Sequence, residues 1–193
     1  MSEIADLVAR IVADHPDDAA AHLRTAGVAD AVTTEDAVEV AVALGRWSVI
    51  GACDLLALEV AAVPADPLVA AALIGAGQAC VDLGVAYAKQ REAFGKPLAK
   101  QPVQRQSFAD VSTALAAGLS LVRRARTAHG TALENLSCVP IAADAAWAAA
   151  EAALQVHGGY GYSDEYEVSG RWQELLEATT GIDRAAYDAA LTG

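Results

Sequence analysis

The chain has 193 residues, 54% of them hydrophobic, and its positive mean hydropathy is enough to bury a substantial core and too high for a disordered polymer. A formal net charge of −12 opposes phosphate backbones and anionic headgroups, which excludes non-specific nucleic-acid and membrane binding while leaving room for a local basic pocket. Aromatics make up only 5%, and alanine dominates the apolar fraction, so small side chains of high helix propensity predict an all-α protein of closely packed helices.

In chain order, Ile4, Leu7, Val8, Ile11 and Val12 recur at helical spacing up to His15-Pro16, where proline ends the segment. Glu3, Asp6, Asp14, Asp17 and Asp18 interrupt this stretch, so no secretory signal is expected there. A short helix should end at Gly27, and Thr33-Thr34, with Asp36 nearby, offer caps for a helix through Val38, Ala41, Val42 and Leu44 to Trp47. That helix is expected to bend or restart near Gly45 or Gly51. The Val63 to Pro67 stretch carries two prolines and sets the boundary between a helical lobe over 1–63, a linker over 64–67 and a bundle over 68–193.

From Leu68 a helix should run to about Gln90; its run 68–86 carries Asp82 and three glycines and reads as buried rather than membrane-spanning. A polar loop over 91–101 follows, then a long helix opened by Pro102 and reaching at least His129. Pro140 is read as the start of another helix, which Gly158-Gly159 stops, with one or two further helices after it. Cys53, Cys80 and Cys138 are odd in number, widely spaced and set among apolar neighbours. This argues against a disulfide frame or a metal site and fits a reducing cytoplasm.

Two segments stand out together. The first is Tyr87-Ala88-Lys89-Gln90-Arg91-Glu92-Ala93-Phe94-Gly95-Lys96-Pro97-Leu98, followed by Gln101 and Gln104; the second is Gln155-Val156-His157-Gly158-Gly159-Tyr160-Gly161-Tyr162, followed by Glu165. In order and context they resemble the C-terminal helical domain of acyl-CoA dehydrogenases. The resemblance implies a four-helix up-down bundle preceded by short N-terminal helices. The middle β-domain of about 100 residues that the family places before that bundle has no room here.

The same resemblance implies FAD as cofactor, with Arg91, Phe94, Gln104, Gln155, Gly158 and Gly159 at positions that contact flavin held mainly by a neighbouring subunit. An arginine fork suits pyrophosphate, and glycines let backbone approach it closely. The family's base, a Glu after the Gly-Gly turn, falls at Ser169, which cannot abstract an unactivated α-proton unaided. Glu167 lies two residues away, turned by roughly 200° along a helix. Other members keep the base at a position that falls at Ala65, beside Asp66, itself a candidate helix cap. The family's Gly-Thr pair is replaced by Gly181-Ile182-Asp183-Arg184.

These features lead to the expectation of a subunit that shares a partial FAD site with a full-length acyl-CoA dehydrogenase or with a second copy, acting on an acyl thioester. The alternatives are a non-catalytic helical assembly protein, or a flavin-free acyl enzyme using Glu167 or Asp66 as acid or base.

Overall fold

The computed structural model describes residues 3–15, 18–29, 37–60, 62 and 65–192, and within them the protein is almost wholly helical. The helices are α1 (Glu3–Asp14), α2 (Ala19–Thr25), α3 (Ala37–Trp47), α4 (Val49–Leu55), α5 (Pro67–Gln90), α6 (Pro102–Ala125), α7 (Ala132–His157), α8 (Glu167–Thr180) and α9 (Arg184–Thr192). Pro16, the Thr33, Thr34 and Asp36 caps, Val63 and Pro64 lie outside the described residues.

Local chemistry explains most boundaries. The helix expected to restart near Gly45 or Gly51 does so between them, because the Ser48 side chain accepts from the Gly51 amide and caps α4. Asp66 caps α5 by accepting from the Leu68 amide at 2.8 Å, with Pro67 at the first position, where a missing N–H costs nothing.

Two sequence expectations fail. The long sixth helix ends at Ala125 rather than reaching His129, and the seventh begins at Ala132, with Pro140 inside it rather than at its start. The start is fixed by a reciprocal cap: the Glu134 amide donates to Thr131 Oγ1 at 3.2 Å and the Thr131 amide donates to Glu134 Oε2 at 2.7 Å. Pro140 sacrifices one internal hydrogen bond, and burial of the alanine-rich face that follows offsets the loss.

Glycine contacts set the bundle's register. A Cβ added at Gly77 would meet Leu115 and Ala146; one at Gly84 would meet Phe108 and Ala153. As α5 advances seven positions, α6 retreats seven and α7 advances seven, so α6 runs antiparallel and α7 parallel to α5. The ends of α5 and α7 therefore share one pole of the bundle with the start of α6.

Helix α3 crosses α5 just as closely: a Cβ at Gly45 would lie 1.9 Å from the Ala72 carbonyl oxygen, and one at Gly75 would lie 2.1 Å from that of Val42. A single apolar core thus continues from α3 and α4 into α5, α7 and α8. Helix α5 is long and apolar enough to cross a bilayer, but most of it is buried inside this core.

Candidate functional site

The expected polar loop is a miniature hairpin. Strands β1 (Glu92–Ala93) and β2 (Lys96–Pro97) pair antiparallel, Glu92 opposite Pro97 and Ala93 opposite Lys96, with Phe94 and Gly95 at the tip. Both tip residues are left-handed, at φ +55° and +75°, the signature of a two-residue I′ turn. The turn carries Phe94 outward until it is 96% exposed. Arg91 forms the base: its amide donates to the Tyr87 carbonyl at 2.8 Å, and its own carbonyl accepts from the Leu98 amide at 2.8 Å. Gln101 Nε2 donates to the Ala93 carbonyl at 3.4 Å, and Gln104 lies half-buried in the first turn of α6.

Helix α7 ends at the second motif. Gly158 takes φ +60°, which favours glycine, and its amide donates to the Gln155 carbonyl. Gln155, Gly158 and Gly159 are exposed, and a Cβ at either glycine would meet nothing within 4 Å, leaving open space along the bend. Gly161 is different, since its Cβ would sit 2.8 Å from the Leu154 carbonyl oxygen.

An aromatic brace joins the two motifs. His157 is buried, stacks on Tyr87 with centroids 4.1 Å apart, and donates from Nδ1 to the Ala153 carbonyl at 2.7 Å. Tyr166 meets both rings edge-on and Tyr160 packs against Tyr166 at 5.6 Å. Tyr87 lies one turn before Arg91 and His157 immediately precedes Gly158, so the stack fixes hairpin and bend to the same pole. The sequence marked Tyr87 and Tyr160 only as part of the motifs and did not single out Tyr166; aromatic residues flanking both helix ends were the available signal. The pole therefore exposes a guanidinium, an aromatic ring, a carboxamide and an open glycine bend, a set suited to a phosphate-bearing ligand with a flat base.

The carboxylate candidates lie elsewhere or are already engaged. Asp66 caps α5 and pairs with Arg126 at 3.2 Å. It stands at the opposite end of a 24-residue helix from Arg91, about 36 Å away at 1.5 Å per residue. Glu167 opens α8 and accepts from Arg171 Nε at 3.0 Å and Nη2 at 2.8 Å. Ser169 is buried in the same turn. Glu167 and Arg171 line a polar cleft of about 450 Å³ together with Trp47, Tyr166 and Glu174, a grouping the sequence did not announce. There Arg171 Nη1 donates to the Trp47 carbonyl, while Glu174 accepts from Ser48 Oγ and from the Ile50 amide at 3.1 Å. Among the described residues no cluster of three or more His, Cys, Asp or Glu could hold a metal.

Comparison with known proteins agrees with both motifs and fold. Residues 66–181 match the acyl-CoA dehydrogenase C-terminal domain. An acyl-CoA dehydrogenase of Bacillus subtilis is 34% identical over 134 residues, covering 65% of this chain and 35% of that protein. The crystal structure of an acyl-CoA dehydrogenase from Geobacillus kaustophilus superposes with a TM-score of 0.60 at 27% identity, covering 65% of this chain and 34% of that one. A glutaryl-CoA dehydrogenase from Mycobacterium smegmatis, solved with FADH2, shares the fold at 18% identity and a TM-score of 0.56, covering 82% of this chain and 37% of that one.

The chain belongs to the acyl-CoA dehydrogenase family, whose cofactor is FAD. It spans about a third of the length of the relatives it matches.

Proposed function

We propose that this chain is an acyl-CoA dehydrogenase subunit that contributes one edge of an FAD site to flavin held mainly by a full-length family partner, and that it leaves the catalytic base to that partner. The observation that carries this reading is the convergence of Arg91, Phe94, Gln104, Gln155, Gly158 and Gly159 on one exposed pole, held by the Tyr87–His157 stack.

These residues fit the adenosine and pyrophosphate half of FAD. Arg91 supplies a planar cationic fork, Phe94 a free aromatic face, Gln104 and Gln155 amides for hydroxyl groups, and the glycine bend leaves room for close approach. Bound FAD would accept hydride from the β-carbon of an acyl thioester. None of the three positions at which the family places or could recruit its base is poised to take the α-proton: Ser169 is buried, Glu167 is paired with Arg171, and Asp66 is a cap. The three free, buried thiols support a reducing cytoplasmic setting.

Co-expression with a full-length dehydrogenase, followed by size-exclusion chromatography with a visible-absorbance trace, tests the reading. A coloured complex is expected; Arg91→Ala should bleach it while co-elution persists. A colourless complex, or none, overturns it. The exposed Phe94 (96%), Val103 (77%) and Tyr162 (72%) favour a second reading, a flavin-free assembly surface; that reading predicts co-elution without colour and indifference to Arg91→Ala.

A further inference from the structure

A recess of about 850 Å³ opens between α1, α3, α5 and α6, reaching from the middle of α5 away from the Arg91 pole. Its size lies within the range of small-molecule pockets. One wall is the i, i+3, i+4, i+7 stripe of α1 that includes Val8 and Val12; facing it are Val42 and Ala43 of α3 and Leu119 of α6. The flavin reading uses none of these residues.

Arginine is concentrated at the rim. In a chain with 25 acidic and 13 basic residues, Arg46, Arg123 and Arg171 all line this one recess, and Glu39 is the one carboxylate lining it among the described residues. Each guanidinium has a partner: Arg46 pairs with Asp82 at 2.6 Å, Arg123 with Glu39 at 3.0 Å, and Arg171 with Glu167 at 2.8 Å. Water reaches the Arg46 and Arg123 pairs, and exposed pairs of this kind contribute about 0–1 kcal/mol, so an incoming anion can exchange for Asp82 or Glu39 at little cost, while Arg171 is more enclosed and also held by the Trp47 carbonyl. With each guanidinium matched by one carboxylate the rim carries no surplus positive charge, so it takes a single anionic head only in exchange for one resident carboxylate and has nothing to balance a polyanion.

We propose that this recess binds a monoanionic amphiphile with one apolar tail, a free medium-chain carboxylate, its tail against the α1 stripe and its head at the arginine rim. The site is separate from the flavin edge and does not depend on it.

Calorimetric titration of the purified chain with decanoate, and with decanol as the same tail without charge, tests this. Saturable 1:1 binding of decanoate is expected, about tenfold tighter than decanol. Arg46→Gln or Arg123→Gln should weaken decanoate several-fold and leave decanol unchanged. Ala43→Phe should fill the recess and abolish both. If that variant fails to fold, the arginine variants, on exposed side chains, still decide. No saturable binding, equal affinity for the two tails, or indifference of decanoate to both arginine variants overturns the proposal.

Discussion

Phe94 occupies backbone that costs an ordinary L-residue roughly 1–2 kcal/mol and that asparagine adopts more readily. The sequence nominated the residue through its motif but not its conformation, because Phe-Gly does not read as the I′ turn that Asn-Gly or Asp-Gly announces. Strain of this kind at a free tip persists where the exposed ring is useful. Phe94→Asn should therefore raise the thermal midpoint, by about 1 kcal/mol of stability, while reducing flavin retention in the complex; a lower midpoint would contradict the strain. The cysteines make the opposite case, since their buried setting was legible from apolar neighbours. Burial pushes the thiols of Cys53 and Cys138 up to about 11 and that of Cys80 to about 12. The folded state thus favours the neutral thiol. Its contribution is complete below the ordinary value of 9.0 and is lost as pH rises through 11 to 12. At about pH 8 a thiol reagent should label none of the three in the native protein and all of them in denaturant.

Proline reads the same to a sequence whether it opens a helix or interrupts one. Pro67 and Pro102 do open α5 and α6, and these boundaries were readable; Pro140 sits inside α7, where the apolar face of the helix outweighs one missing hydrogen bond. The true signal was the Thr131-x-x-Glu134 box nine residues earlier. Close approach between helices was harder to foresee, since the glycines mark it only once the crossing partner is known. Gly75→Ala would drive a methyl to 2.1 Å from the Val42 carbonyl oxygen and should cost about 1–3 kcal/mol in denaturant melts. Gly118→Ala provides the contrast: its Cβ would meet Ile74 Cδ1 at 3.4 Å, ordinary contact, so helix propensity should stabilise by up to about 1 kcal/mol. Equal effects of the two would refute this account of the α3–α5 crossing.

At the scale of the molecule, the family motifs located the exposed pole in the sequence, but the α1 recess and the Trp47–Arg171 cleft arise from residues more than 100 positions apart and left no local trace. The same holds for α9, whose Tyr187 is buried, accepts from the Ala65 amide at 3.0 Å and donates to the Ala62 carbonyl at 3.3 Å. Tyr187→Phe should strand that buried amide and cost about 1–3 kcal/mol, read as a lower midpoint with unchanged helicity; no change would show that the amide finds another acceptor.

That clasp has a practical corollary. The α4–α5 connection is anchored just ahead of α5 by Tyr187 and the Asp66 cap, while Glu59 upstream stands exposed. Lengthening a loop is entropically mild, about 0.6 kcal/mol for each doubling. A foreign module spliced at Glu59 would therefore ride on the bundle as a passenger, its two ends held by a scaffold that folds around the insertion.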